Sequence, residues 1–237
     1  MIEFPRRVPV TGDRGVIPFI TQRKGEEAAP EDLYLLRERG GPRLHLFYGD
    51  EDPRDRPLRG MLWARCSFNR DDAGMPVGEP LWKFMHPYRQ MGTMLAGRCQ
   101  ICTRPARTPI GYIFLAGPKD EDPSQASILT NQPPVCARHV RTTAKLCDHM
   151  EGNPMVFLAS SAPLYGALGS IYGYGPDGQV QVVSSPDTPV RFSDPRATQL
   201  LASQLWRRLS SFRVLDVDEL LAELAAASAA THHQGER

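Results

Sequence analysis

Four residues of this chain are of the types, and at the spacing, that bind a metal ion. Cys99 and Cys102 form a C-x-x-C pair, and Cys136 and His139 form a C-x-x-H pair 33 residues further on. A C-x-x-C turn aims two sulfurs at one centre. Thiolates gathered that closely need a cation to stabilise their charge, and a second pair completes a tetrahedral shell for zinc. The expected cofactor is therefore Zn2+, bound by four protein ligands with no position left for water. Cys147 and His149 are two further candidate ligands. On a helix continuing from residue 136, Cys147 would stand about 16 Å along the axis, too far to share the ion. Cys66 stands alone in an apolar run and reads as a core residue.

Three other groupings carry residue types that could do chemistry. His86, Tyr88 and Arg89 lie together just before the first cysteine pair. They are candidates for an acid/base and an anion clamp in a pocket, or else for a turn closing on the core. Arg98, Arg104, Arg107, Arg138, Arg141 and Lys145 surround the ligand pairs. With Lys119 they make seven cations against Asp120, Glu121 and Asp122 over residues 98–145, a local charge of +4. That excess suits phosphate contacts. His149 and Glu151 match the H-x-E of zinc nucleotide deaminases in type only. In that family the motif precedes the cysteine pair, whereas here it follows. There is no P-loop, nucleophile elbow, H-E-x-x-H or dinucleotide fingerprint.

Elements must position the ligands. Pro133-Pro134 before Cys136, and the run from Val140 to Leu146 after it, place Cys136 and His139 in the first turn of a helix. Between the pairs, residues 108–116 and 127–130 read as strands separated by a long loop. Knuckle, β-hairpin and helix bearing the second pair is the plan of treble-clef zinc fingers, and residues 98–150 resemble that group. The resemblance implies a structural zinc. It extends to the HNH nucleases, but residues 103–135 contain no histidine, so the catalytic base of that chemistry has no candidate.

Outside this segment the readings are local. Residues 15–21, 43–48, 60–69 and 155–159 read as strands, and 30–37 as a short helix. Residues 50–57 form a charged loop. Residues 81–95 are interrupted by Pro87 and are helical beyond it up to Gly97. Residues 164–174 read as strand and turn, and 179–184 as a strand, with a hairpin centred near 177. Asp194-Pro195 opens a helix over 194–214, with Leu200, Leu201, Leu205, Trp206 and Leu209 at helical spacing. A second helix starts near Asp216. The expected fold is α+β: a β-rich N-terminal part (1–97), the zinc module (98–150), and a hairpin with two C-terminal helices (151–230) in the same domain. A disordered tail (231–237) completes the chain.

Composition narrows the function class without naming a function. The chain of 237 residues carries a net charge of +1, with 41% hydrophobic and 23% charged residues. That is globular, and it lacks the charge of a non-specific nucleic-acid coat. Of 28 cationic residues only four are lysine, a bias suggesting a bacterial gene of high GC content. No apolar run reaches the roughly 20 residues of a membrane span, and residues 1–10 lack a signal-peptide core. The expected compartment is the cytoplasm, where metal binding explains cysteines better than disulfides do. Three functions fit: a zinc-stabilised module contacting nucleic acid or another protein, an enzyme of bacterial secondary metabolism with a pocket near His86 and Arg89, or a structural subunit of an assembly.

Overall fold

Two long strands organise the fold in the computed structural model, which describes residues 4–5, 16–29, 32–117, 121–146 and 154–234. In chain order the strands are β1 (Thr21–Arg23), β2 (Leu33–Arg37), β3 (Leu44–Tyr48), β4 (Leu62–Trp63), β5 (Pro80–Met85), β6 (Tyr112–Ala116) and β7 (Ile128–Thr130). They continue with β8 (Met155–Ser161), β9 (Leu164–Tyr174), β10 (Val180–Ser184), β11 (Val190–Arg191), β12 (Leu200–Leu209) and β13 (Ser211–Leu215). The helices are α1 (Pro87–Ala96), α2 (Val140–Leu146) and α3 (Val217–Gln234). The chain is thus mixed α and β and strand-rich, and no helix among the described residues is long and apolar enough to cross a membrane.

The antiparallel pair β9–β12 is the spine of the largest sheet, ordered β10-β9-β12-β4, with β11 joined to β9 and β7 to β12. β9 is glycine-rich because its neighbours come very close. A Cβ on Gly169 would sit 2.0 Å from the Leu201 carbonyl oxygen, and one on Gly166 would sit 2.1 Å from that of Val190. The stretch read as strand and turn is therefore one continuous strand. The hairpin to β10 turns at Asp177-Gly178, where Gly178 has φ +77°, a value that favours glycine.

The helix expected over 194–214 is not formed. Asp194 caps a 3-10 turn, Pro195–Gln199, and the chain then runs as β12 and β13. Both faces of β12 are buried. Leu200, Ala202 and Leu205 pack with Trp63 and Met94, while Leu201 packs with Leu35, Leu46 and Tyr172. Register shifts between Ala202 and Gln204 and between Trp206 and Arg207 break the two-residue alternation. A doubly buried, bulged strand shows apolar residues at spacings that imitate a helix. Among the described residues there is one C-terminal helix, α3, and it continues to Gln234, past the expected start of the disordered tail.

Residues 33–37 form a strand rather than a helix. Leu35 faces the core beside Leu46 and Tyr48 while Tyr34 and Leu36 face out, and pairing with β3 outweighs the local start signal. The strands expected at 15–21 and 60–69 shrink to Thr21–Arg23 and Leu62–Trp63. A second sheet, β13-β8-β6, lies under α3, whose Leu220 and Leu224 join Val156 and Leu158 in one core.

Helix α1 is locked to the large sheet by a buried amide. Gln90 Nε2 donates to the Leu205 carbonyl at 2.8 Å, and its Oε1 accepts from the Leu205 N–H at 2.9 Å. Arg207 donates through Nε to the Met94 carbonyl at 3.2 Å, at the C-terminal end of the same helix, where a cation is favoured.

Candidate metal centre

α1 leads directly into the first ligand pair. Its stop is Gly97 at φ +59°, ψ +40°, a left-handed cap. Two residues later Cys99 opens a tight knuckle. The Cys99 N–H donates to the Arg104 carbonyl at 2.8 Å, and the Thr103 N–H donates back to the Cys99 carbonyl at 2.9 Å. Thr103 takes φ +60° to turn the chain. The knuckle is tied to the second pair through the Gln100 N–H, which donates to the Pro134 carbonyl at 3.0 Å.

The second pair starts a helix. Val135 is held to β6 by an N–H bond of 2.9 Å to the Ile113 carbonyl. Cys136 is the extended residue before a 3-10 turn, Ala137–His139, that feeds into α2. The Thr143 hydroxyl donates to the His139 carbonyl at 2.7 Å, anchoring that turn.

The four donor atoms converge, all lying within 4.8 Å of one another. Cys102 Sγ stands 3.8 Å from Cys136 Sγ, Cys99 Sγ stands 3.8 Å from His139 Nδ1, and Cys136 Sγ stands 3.3 Å from His139 Nδ1. A tetrahedron with metal–sulfur bonds of about 2.3 Å has sulfur–sulfur edges of about 3.8 Å. The sulfur spacing is far longer than the roughly 2.05 Å of a disulfide. Cys99 and Cys102 are essentially sealed from solvent and share a core with Ile101, Ile113, Val140, Leu220 and Leu224. Four donors of this kind fit one ion with a closed shell.

Electrostatics tell the same story. Sulfur neighbours, Cys102 and then Cys136, push the Cys99 thiol far up, while Cys136 and then Cys99 hold Cys102 far below an ordinary thiol. His139 is raised to about 9, by Cys102 first and Cys136 second. Protons shared among four donors, the sulfurs buried and the imidazole half-buried, leave some of them poorly partnered, whereas a divalent cation would replace those protons and serve all four at once.

The strands between the ligand pairs are where they were expected, but they do not form a hairpin. β6 pairs with β8 and β7 pairs with β12. Of the expected plan, the knuckle and the helix bearing the second pair form, and the hairpin between them does not. Cys147 and His149 lie outside the described residues.

His86, Tyr88 and Arg89 occupy the start of α1. His86 is fully buried and caps the helix, with Nδ1 accepting from the Arg89 N–H at 3.5 Å. Its Nε2 donates to the Ser67 carbonyl at 3.0 Å, which fixes the neutral tautomer. The ring stacks on Phe68, centroids 4.5 Å apart. Burial, and then the charge of Arg89, lower its pKa to about 4. The unfolded chain, with histidine near 6.5, binds a proton between about pH 6.5 and 4 that the folded chain refuses. Stability falls as pH drops through that window, by about 3 kcal/mol in all. His86→Asn, which keeps a capping side chain, is expected to lose that much less than wild type between pH 7 and pH 4 in urea unfolding. Identical losses in the two proteins would show that His86 does not titrate with folding.

Arg89 is buried against Glu26, a residue that no sequence signal marked. The two are separated by 63 positions and share no local pattern. Tyr88 and Arg89 also line a cavity of about 1250 Å³ between α1 and the segments around residues 50–57 and 65–76.

The cationic residues divide into two groups. The Arg98 guanidinium donates to the Thr103 carbonyl at 2.7 Å and lies 4.4 Å from the centre of the Phe4 ring. Arg141 pairs with Asp218 of α3 at 2.9 Å. Arg104, Arg107, Arg138 and Lys145 are exposed and have no ion pair among the described residues, Arg107 lying 5.1 Å from the centre of the Tyr112 ring.

Comparison of the chain with known protein families, with curated proteins and with solved structures gives no match.

Proposed function

We propose that Cys99, Cys102, Cys136 and His139 hold one structural zinc ion in a treble-clef-like module, and that the module serves an interaction protein. The observation that carries the zinc reading is the convergence of three sulfurs and one imidazole nitrogen at separations near tetrahedral edges, the sulfurs inside a hydrophobic core and the imidazole at its border. Two or more thiolates with an imidazole favour zinc over hard cations such as magnesium or calcium. Four protein ligands close the shell, so the ion's work is folding rather than activating water. The partner reading rests on the exposed Arg104, Arg107, Arg138 and Lys145 around the knuckle and helix. They suit the phosphates of a nucleic acid, and Asp218 on α3 limits the face by neutralising Arg141.

Metal content by mass spectrometry, on protein purified without added metal, tests the first part. One zinc per chain, lost in Cys99→Ser and Cys136→Ser, is expected; iron or a second ion would overturn it. Gel shift with duplex and single-stranded oligonucleotides at two salt concentrations tests the second. Binding that weakens as salt rises, and weakens further in Arg104→Gln/Arg138→Gln, is the expected result. Zinc-loaded protein that shifts no oligonucleotide even at low salt would remove nucleic acid from the reading.

The cavity beside α1 favours a second reading, a small-molecule site. Such sites are concave, with aromatic and aliphatic walls and a few polar groups left to fix a ligand; this one has such walls, and most of its charged side chains are paired with one another.

A further inference from the structure

The cavity deepens that second reading, because its wall has a definite chemical bias. One side is α1, through Tyr88, Met91 and Leu95; the other is the extended stretch carrying Cys66, Phe68 and Arg70. Most of the charge around it is cancelled. Arg54 is paired with Asp52, Arg89 with Glu26, and Arg65 with both Asp55 and Asp50, so one carboxylate is in excess, and the outer of the two, Asp50, is open to solvent, which screens it. Arg70 and Glu27 line the cavity with no ion pair among the described residues. The two differ in setting. The Arg70 guanidinium lies 4.6 Å from the centre of Phe68. Phe68 in turn stands 5.8 Å from Tyr88 and stacks on the neutral His86. Arg70 is therefore the charged end of an aromatic tier. Burial and the Asp55 carboxylate raise the Tyr88 hydroxyl to about 12, which keeps it a hydrogen-bond donor.

We propose that this cavity binds an organic anion with an aromatic or other flat apolar body, the body lying on the Tyr88, Met91 and Leu95 side and the anion on Arg70. The pairing follows from two general preferences. Flat rings bury area against aromatic and aliphatic walls at low entropic cost. A guanidinium with free N–H groups takes carboxylate, sulfonate or phosphate oxygens through charge-assisted bonds. Glu27 bears the opposite charge, so a cationic aromatic compound is the competing class. The proposal rests on the second reading above and not on the metal.

The test uses fluorescence titration of the full chain with 8-anilinonaphthalene-1-sulfonate and, separately, the cationic dye ethidium. Zinc content is measured on every sample. The sulfonate is expected to bind saturably at one site, more tightly than ethidium, and to protect Cys66 from alkylation in a peptide map. Arg70→Gln should weaken the sulfonate by about ten-fold, while Glu27→Gln tightens it. Arg70 is exposed, so its variant keeps full zinc and the wild-type unfolding midpoint. Tighter ethidium binding, unchanged affinity in Arg70→Gln at full zinc, or multiple weak sites with Cys66 unprotected would each overturn the proposal. The first two would overturn the ligand class alone. The last would also end the small-molecule reading of the cavity.

Discussion

Serine at Cys99 or Cys136 is expected to release the metal and to loosen far more of the protein than the knuckle. Cys99 is fully buried, and both residues belong to a core that also takes Ile113 of β6, Val156 and Leu158 of β8, Val140 of α2 and Leu220 and Leu224 of α3. Structural zinc contributes on the order of 10 kcal/mol to the folding of small metal domains, against a net stability of about 5–15 kcal/mol for a whole domain. Without the ion, the remaining thiols stay inside that core without adequate partners, and the half-buried His139 loses its own. A loss of at least about 5 kcal/mol follows, equal to about 10–20 °C in the unfolding midpoint for a chain of this size. Circular dichroism melts of wild type, Cys99→Ser and Cys136→Ser, with and without a strong chelator, measure it. The chelator should bring wild type down to the variants and leave the variants unmoved. A Cys99→Ser protein that melts with wild type would end the structural reading of the site.

What sequence reasoning captured and missed divides by distance along the chain. The ligand pairs are each closed within four residues, so type and spacing suffice to find them. The helix after Pro87 and its stop at Gly97 are likewise local, set by the fixed φ of proline and the left-handed glycine cap. The Pro-Asp-Gly turn before β10 is of the same kind. The failures are non-local. β12 takes its conformation from β9, β4 and β7, which come from three other parts of the chain. Its Leu200, Leu201, Leu205 and Leu209 are apolar because both faces are covered, and nothing in their spacing says so. β6 and β7 were legible as strands, but their partners were not, so the hairpin expected between the ligand pairs was the wrong assembly of two correct pieces. Tyr88 and Arg89 could be picked out as chemically able. That Arg89 meets Glu26, or that Phe68 and Arg70 face α1 across a cavity, depends on how separate segments pack.

The same non-local pair gives the largest expected effect away from the metal. Glu26 and Arg89 have side chains 0% and 3% exposed. The carboxylate accepts from Arg89 Nη1 at 2.5 Å and Nη2 at 2.7 Å, from the Arg23 N–H at 2.7 Å and from the Asn69 N–H at 3.1 Å. One side chain thus fastens α1, β1 and the stretch after Cys66. Arg23 lies buried beside it, its pKa lowered to about 10 by burial first and then by Arg89. Only the Arg89 guanidinium bonds the carboxylate, but its negative charge also acts on the Arg23 guanidinium nearby. Removing that carboxylate leaves two buried cations facing each other, and breaking such a pair from one side typically costs about 3–5 kcal/mol. Glu26→Gln keeps the shape and some of the hydrogen bonds but not the charge, so it should lose most of that amount. The double change Glu26→Leu with Arg89→Met is expected to be more stable than Glu26→Gln alone, because one buried cation, Arg23, is left behind instead of two that repel each other. Urea unfolding of the three proteins at pH 7 measures the differences. The arginine hydrogen bonds outweigh burial and hold the Glu26 carboxyl below its ordinary value. Its contribution is present above the unfolded carboxylate value and is lost as pH falls through the folded one, a slope that Glu26→Gln removes. If Glu26→Gln unfolds at the wild-type urea midpoint, the pair does not hold these three segments together.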